Sequence, residues 1–351
     1  MRQAESVKYT SEVDHMNDSA GVNVPQSPPL ETVRQALEKY SDNPSAFLAL
    51  NSGNSYFTVP GLDGVIAYRR SGRYLVQFGG AFAAEVGYAQ LLDRFLQYAR
   101  SRRRKVVAVQ LQTYDLGYYA ERGFTTNQIG SSYMVDLSTC TLRGSRFMQL
   151  RNKISRAVRA GLTVREVDQT RWPEQMAALD ARWLRSKGKH AKPLEFLVGE
   201  YGGSAQQHRR LFIGLLGQEL AGYISYSPVY GDRPGWLHDL SRRLPDGPPG
   251  IMEAINKTAI DTFQAEHVPW LHFGFTPFTG LDPELEAGSH SRWFRWLVHQ
   301  LGAHGESVYP AKTQLAYKNK WNPVALPEYI AFSHGAGISG FLQVFRVANA
   351  L

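Results

Sequence analysis

The sequence predicts an α/β (α+β) fold made of two tandem units, each a mixed twisted sheet flanked by helices. Strand-like runs alternate with amphipathic helical stretches from residue 30 to beyond residue 270. The order of elements in residues 30–144 returns, with little sequence in common, in residues 145–351. At 351 residues the chain has the length of two ordinary domains.

Residues 1–29 end in "PQSPP", carry no apolar periodicity and are expected to form a disordered tail. "LETVRQALEKY" then sets Leu30, Val33, Leu37 and Tyr40 on one helical face. "YFTVPGLDGVIAYRRSGRYLVQFGG" reads as three strands with turns at "GLDG" and "RSGR". "VGYAQLLDRFLQYARSRRRK" is an amphipathic helix through Leu91, Leu92, Phe95 and Ala99. "VVAVQLQ" is a buried strand, "DLGYYAERGF" a short helix ending at Gly123, and "SSYMVDLS" a strand.

The second unit opens with the helix "GSRFMQLRNKISRAVRAG". There Phe147, Leu150, Ile154, Ala157 and Val158 form one stripe, and Gly161 suits the C-cap. A strand ("LTVREV"), a helix ("RWPEQMAALDARWLRSKGK") and a strand pair ("RLFIGLLG", "ELAGYISYSPV") follow. The strand "GWLHDLS", the helix "PPGIMEAINKTAIDTFQAEH" and the strand "PWLHFGFTP" complete the order. In "RWFRWL", Trp293, Phe294 and Trp296 have helical spacing and are expected in the core.

Hydrophobic residues make up 43% and aromatics 12% of the chain, which excludes a disordered protein. Lys and Arg exceed Asp and Glu by 39 to 31, a net charge of +8. That balance favours an anionic partner (RNA, DNA, an acidic membrane surface or a phosphorylated substrate) without choosing among them. The single cysteine, Cys140, excludes an internal disulfide and a thiolate metal cluster, and its strand-end setting is that of an unreactive thiol. No run approaches the roughly 18 apolar residues of a membrane span. The start of the chain has no apolar signal core, so a cytoplasmic protein is expected.

"YYAERGF" and the strand–helix–strand order around it resemble an N-acetyltransferase-type (GNAT) fold. "RNKISRAVRAGLTV", "HDLSRRLPDGPPGIMEAI", "LHFGFTPFTGL" and "YKNKWNPVALPEYIA" occur in that order. Their spacing resembles the catalytic domain of phosphatidylglycerol lysyltransferases, the aminoacyl-phosphatidylglycerol synthases. "DGVIAYRRSGRYLVQFGG" and "IGSSYMVDLSTCTLRG" extend the resemblance to residues 45–335. It implies a tandem acetyltransferase-like fold that takes an amino acid from aminoacyl-tRNA and passes it to the hydroxyl of an anionic phospholipid, with no cofactor and no DNA partner. A smaller branch passes a seryl group to a small hydroxylamine or alcohol in natural-product pathways, which implies a small-molecule acceptor instead. The lipid enzymes carry a large membrane region ahead of this domain that residues 1–351 do not contain. A soluble stand-alone member, with peripheral contact at the inner membrane face, is therefore expected. Where the family often has a Gly-Asp-Pro turn, this chain has "GGA" at 79–81.

Acyl transfer from an activated ester needs the attacking group held near the carbonyl, a route for its proton and donors for the oxyanion. It needs no metal and no coenzyme, and a tRNA donor adds a need for cations. "HDLSRR" at a strand end supplies several of these groups. In extended geometry His238, Leu240 and Arg242 share one face, and Asp239, Ser241 and Arg243 the other. The catalytic candidates are Asp239, His238 and Arg242, with Lys318 of "YKNKW" as a second cation. Asp239 would orient the acceptor or the α-amino group, His238 is the stronger base by intrinsic pKa, and Arg242 and Lys318 would hold phosphate. A solvated strand end with Asp239 paired to an arginine fits the same residues.

Lys318 and Lys320, beside Tyr317 and Trp321, suit a phosphate and a stacked base, and equally an edge strand guarded by lysines. The resemblance puts this segment at the active site. Arg243, Thr276, Glu306, Tyr317 and Lys320 are the candidate substrate-binding residues. Backbone N–H groups of "HFGFTPFTG", at Gly274, Thr276 and Gly280, could serve an oxyanion or form a plain turn, and His304 and Glu306 of "AHGESVYP" fit a surface loop better than a general base. Lys153, Arg156 and Arg159 lie on a helix face without an interleaved acid and are the tRNA-binding candidates, although an ordinary solvated helix face fits them equally. "RSRRRK" at 100–105 and "KGKHAK" at 187–192 are further basic runs that could meet RNA.

Three rivals stand beside this reading. An acetyl-CoA-dependent N-acetyltransferase would hold pyrophosphate with a [Q/R]-x-x-G-x-[G/A] loop, of which "RSKGKH" and "QFGGAF" are incomplete matches. A peptidoglycan-building aminoacyltransferase usually carries a coiled-coil insertion, and no heptad run occurs. A non-catalytic RNA-binding protein would need only the basic surface.

Overall fold

In the computed structural model of the chain, which describes residues 28–188, 192–304, 311–333 and 337–350, helix α1 (Leu30–Tyr40) buries Val33 and Leu37 against the first sheet strands. All but the last two residues of the expected N-terminal tail lie outside the described residues. Strands β1 (Ser55–Val59), β2 (Leu62–Ser71) and β3 (Tyr74–Ala83) form an antiparallel meander. Helix α2 (Glu85–Ser101) packs Leu91, Leu92, Phe95 and Ala99 on the sheet, as its stripe requires, and crosses to β4 (Lys105–Leu111), parallel to β3. Helix α3 (Leu116–Ala120) leads to β5 (Thr125–Asp136).

The second half runs α4 (Met148–Arg159), β6 (Leu162–Val167), α5 (Pro173–Lys187), β7 (Arg210–Leu216), β8 (Glu219–Val229) and β9 (Gly235–Arg243). Helix α6 (Ile251–Ala265) crosses from β9 to β10 (Trp270–Pro277), parallel to it. Then come α7 (Arg292–His304), α8 (Ala311–Asn319), β11 (Val324–Phe332) and α9 (Ile338–Val347).

The two sheets expected from the sequence are joined into one 11-stranded sheet, in the order β1-β2-β3-β4-β11-β5-β10-β9-β8-β7-β6. Strand β5 pairs with β10 across the expected junction near residue 145, and β11, from near the chain's end, lies between β4 and β5. Element order does not carry this information, because a strand's neighbours are set by contacts remote in sequence. The halves still echo each other. Each holds one parallel pair inside a strand–helix–strand crossover, β3-α2-β4 and β9-α6-β10.

Three local expectations change. In "YKNKW", Tyr317, Lys318 and Asn319 end helix α8 and Lys320 and Trp321 form the turn after it, rather than an edge strand, so Lys318 reaches Thr276 of β10 while Lys320 reaches Glu253 of α6. Trp293 and Trp296 are exposed, at 47% and 57%, because α7 seats Phe294 and Val298 inward and turns the indoles out. Val158 of α4 is exposed, and Leu150 and Ala157 carry that helix's burial. Among the described residues no helix is long and apolar enough to cross a membrane.

Candidate functional site

Strands β9 and β10 pair only from Gly235 with Trp270 to Leu237 with His272. Each then bulges. On β9, Asp239 is the extra residue between His238, opposite Tyr226, and Leu240, opposite Ser225. On β10, Phe273 is the extra residue between His272, opposite Met134, and Gly274, opposite Tyr133. Paired bulges bend strands and end pairing, and a cavity of about 440 Å³ fills the divergence. His238, Arg242, Tyr317 and Lys318 border it with polar groups, while Phe275, Phe278, Phe341, Val344 and Phe345 supply apolar wall. The matching place in the first half is filled: a Cβ on Gly80 would lie 2.1 Å from Asp115 Oδ1, and the Tyr88 hydroxyl donates to the same oxygen.

Helix α8 brings Lys318 into the bulged part of β10. Its amine donates to the carbonyls of Gly274 (2.6 Å) and Phe275 (3.2 Å) and to Thr276 Oγ1 (2.6 Å), and lies 5.3 Å from the Tyr133 ring. Burial pulls its pKa down to about 7, against the opposing charge of Glu328. Glu328, on β11, accepts from the Ser132 hydroxyl and is itself pushed up to about 7 by burial.

His238 sits among Tyr226, Phe273 and Tyr317. Burial first, then the Lys318 charge, lowers its pKa to about 3, so the imidazole is neutral at pH 7. The base strength expected from its intrinsic pKa is lost, and its Nδ1 has no hydrogen-bond partner among the described residues. The bulge also breaks the strict two-face alternation expected of "HDLSRR": Asp239 and Ser241 border the cavity together with His238, Leu240 and Arg242.

Asp239 is paired to an arginine, but not to one of its neighbours. Arg209 Nε lies 2.9 Å from Asp239 Oδ2, and neither side chain is exposed. Burial raises the Asp239 pKa, with Arg209 opposing. The Gly199 amide donates to the Asp239 carbonyl (2.8 Å), and a Cβ at 199 would come within 2.5 Å of the Asp239 carboxyl carbon. Arg242 lies over the Trp183 ring at 4.3 Å, with Asp180 at 3.8 Å, and Lys187 meets the same ring at 5.0 Å.

Residues 34–332 match the model of the phosphatidylglycerol lysyltransferase C-terminal domain family. The chain belongs to this family. It is 23% identical over 288 residues to the phosphatidylglycerol lysyltransferase of Bacillus subtilis (strain 168), covering 81% of this chain and 32% of that protein. It is 23% identical over 316 residues to the MprF-like domain protein Rv1619 of Mycobacterium tuberculosis, covering 86% and 62%. The chain thus spans about a third of the length of the Bacillus relative, 32%. The C-terminal domain of a putative lysylphosphatidylglycerol synthetase from Agrobacterium fabrum superposes with a TM-score of 0.75 at 20% identity, covering 92% of this chain and 98% of that one. L-PGS from Bacillus licheniformis gives 0.73 at 20% identity, covering 93% and 99%. These likenesses show a shared fold, a mixed sheet with flanking helices.

In this lysyltransferase-family chain the other expected residues fall as follows. Tyr317 Oη accepts from Asn256 (2.7 Å) and donates to the Met252 carbonyl (3.3 Å). Lys320 binds Glu253 at 2.8 Å, and Lys153 reaches the same oxygen at 3.7 Å. The face expected to be free of acids therefore meets one, supplied by α6. Gly250, at φ 99, lets α6 begin against the Lys153 carbonyl, where a Cβ would lie 2.0 Å away. Arg156 and Arg159 are exposed and form no ion pair among the described residues. Arg243 is exposed and donates to the Leu244 carbonyl (3.0 Å). His304 ends α7 on the surface; Glu306, and residues 189–191 of "KGKHAK", lie outside the described residues. Sequence reasoning missed Arg209 and the apolar wall from α9, which have no local signal, and Glu253, which lies inside the quoted "HDLSRRLPDGPPGIMEAI". Trp183 was detectable as an aromatic inside the basic run "RWLRSKGK". Among the described residues no group of three or more His, Cys, Asp or Glu is disposed to hold a metal ion.

Proposed function

We propose that the chain is an aminoacyltransferase that moves an amino acid from aminoacyl-tRNA to a hydroxyl of phosphatidylglycerol. The observation that carries this reading is the cavity of about 440 Å³ between β9 and β10, where Arg242 and Lys318, with Asp239 and Glu195, share the lining with an apolar wall. An anionic headgroup attached to hydrocarbon suits both walls, while a small polar acceptor uses only one. The names of the family relatives support the same acceptor. Residues 30–144 and 145–351 are read as two acyltransferase-like units sharing one sheet, the second carrying the chemistry.

The acceptor hydroxyl attacks the ester carbonyl of the aminoacyl group. A new acyl–oxygen bond forms, the bond to the terminal ribose breaks, and the hydroxyl proton passes to the ribose oxygen. Lys318, poised near half-protonation at neutral pH, relays that proton, since a base works best with a pKa near the working pH. Thr276 and the carbonyls of β10 hold the amine in place. Arg242 and Trp183 offer a planar cation and a ring for a phosphate and a base of the tRNA end. Asp239 is a positioning residue that fixes the bulge of β9 through Arg209. Arg156 and Arg159 meet the tRNA backbone, and Tyr317, Lys320 and Arg243 flank the approach.

The test is transfer of labelled lysine or alanine from charged tRNA to phosphatidylglycerol dispersed in detergent. Labelled lipid is expected. Transfer to a small hydroxylamine with the lipid ignored overturns the acceptor, and efficient transfer from acetyl-CoA overturns the donor.

A further inference from the structure

We propose that α7, α9 and the basic turns beside them form a docking surface for an anionic bilayer, an inference that rests on the lipid-acceptor reading above. Helix α7 is anchored by Phe294, whose ring lies 5.2 Å from those of Phe332 and Phe341. Its outer face presents Trp293 and Trp296, one turn apart, with Arg292 beside them. Helix α9 exposes Ile338 and Leu342, 52% and 40% accessible, also one turn apart. The same helix supplies Phe341, Val344 and Phe345 to the cavity, Val344 from the side turned away from Ile338, and Phe341 and Phe345 from positions flanking Ile338. One helix thus contributes both to the exposed apolar patch and to the cavity wall.

A cationic collar adjoins α9. The β2–β3 turn bears Arg70 and Arg73, and the α2–β4 turn bears Arg102, Arg103 and Lys105. Tyr74 Oη lies 2.8 Å from Ser339 Oγ, Ser71 Oγ donates to Gln343 Oε1 at 2.9 Å, and the Lys105 amide donates to the Arg73 carbonyl at 2.9 Å. No Asp or Glu occurs in residues 69–74, 100–105, 292–304 or 338–347. Ahead of α7, Glu286 is turned inward to accept from the Gln128 amide (2.7 Å), and Asp282 caps its own turn by accepting from the Glu284 amide (2.9 Å).

Indole rings beside arginines are suited to the headgroup level of a bilayer, where ring and cation are both satisfied. Exposed Ile338 and Leu342 gain from burial in acyl chains and gain nothing from an RNA backbone. The basic collar is drawn to anionic lipid and not to neutral lipid. This chemistry selects a membrane over a nucleic acid. It also divides the basic residues: the collar beside α9 meets the bilayer, while Arg156, Arg159 and Arg242, on other elements, serve RNA.

The experiment is flotation of the full chain, without tRNA, on vesicles of phosphatidylcholine alone or mixed with phosphatidylglycerol. Binding to the mixed vesicles only is expected. Arg70→Gln with Arg73→Gln should weaken it by roughly fivefold per arginine. Trp293→Ala with Trp296→Ala should weaken it at least as much and abolish quenching of tryptophan fluorescence by brominated acyl chains. The two pairs lie on separate elements, so either carries the test if the other fails to fold. Absence of flotation, or equal flotation of all variants, overturns the proposal. So does a loss of tRNA affinity in the arginine variant with vesicle affinity unchanged, or a dimer that dissociates on removal of the tryptophans. Transfer to phosphatidylglycerol in detergent is read separately. Its retention in variants that no longer float supports the surface, and its absence in a wild-type protein that does float overturns the acceptor while the surface stands.

Discussion

Arg209 and Asp239 form an ion pair with no exposure on either side chain, Nε to Oδ2 at 2.9 Å. Arg209 also donates to Asn51 Oδ1 at 3.0 Å and lies over the Phe47 ring at 5.0 Å, so the pair ties β9 to the first half of the chain. Removing one member of a buried pair leaves an uncompensated charge and costs about 3–5 kcal/mol, while replacing both by apolar residues is often neutral. Arg209→Ala and Asp239→Asn are each expected to lower the denaturation midpoint, and Arg209→Met combined with Asp239→Leu should recover much of the loss. Transfer should fall in both single variants through a displaced β9, with KM and kcat affected together. If Asp239→Asn reduced kcat alone at unchanged stability, the carboxylate would be acting on substrate directly.

The plug of the first half predicts a pH dependence. Burial pushes the Asp115 pKa up to about 7, against hydrogen bonds from Tyr88 and the Gln112 amide. An unfolded Asp titrates near 4. Between those values the folded state holds the extra proton, so stability falls as pH rises through the window, and the deficit is complete above about 7. Asp115→Asn keeps a partner for Tyr88 without the charge. Its melting temperature should exceed the wild type's at pH 8, with a flatter profile from pH 5 upward. Glu328 contributes with the same sign, so some slope remains. Parallel profiles for variant and wild type would show that Asp115 is not the source.

Most of the local structure was legible, and the reason shows where reading failed. Leu91, Leu92, Phe95 and Ala99 repeat at helical spacing, and the burial of α2 follows from that alone. The place of β11 between β4 and β5 does not, because nothing in "VALPEYIAF" names its neighbours. At the site, "HDLSRR" and "YKNKW" were visible as clusters of charge, but the bulge at Asp239 and the helix under Lys318 decide which charges meet the cavity. Of the partners that oppose burial there, Arg209 lies in a segment with no motif, and Glu328, though inside "YKNKWNPVALPEYIA", carries no mark of its closeness to Lys318. A charge can be found in sequence; its solvation is a property of packing.

Helix α4 separates two kinds of basic residue. Lys153 shares Glu253 with Lys320, whereas Arg156 and Arg159 are exposed without an ion pair among the described residues. Salt titrations of charged-tRNA binding should therefore show a slope reduced by roughly 0.7–0.9 per lost phosphate contact in Arg156→Ala and Arg159→Ala. Lys153→Ala should change the slope less. An unaltered slope in the two arginine variants would leave α4 an ordinary solvated helix.

Lys318 makes the sharpest test, because its two readings differ in sign. Its amine has three oxygen partners, yet burial holds its pKa at about 7, far below the value of an unfolded lysine. Between pH 7 and the unfolded value the unfolded chain binds a proton that the folded chain sheds, so stability rises with pH there and the deficit is complete below about 7. If the amine serves as proton relay, kcat should climb through an apparent pKa near 7. Lys318→Arg, which stays charged, should abolish that limb and cost ~10²-fold or more in rate. Lys318→Met removes a poorly solvated cation, so at pH 6 it should melt at a higher temperature than the wild type while losing transfer. A structural cation that fastens α8 to β10 would behave in the opposite way: Lys318→Met would melt lower at every pH, and the residual rate would keep the wild-type profile.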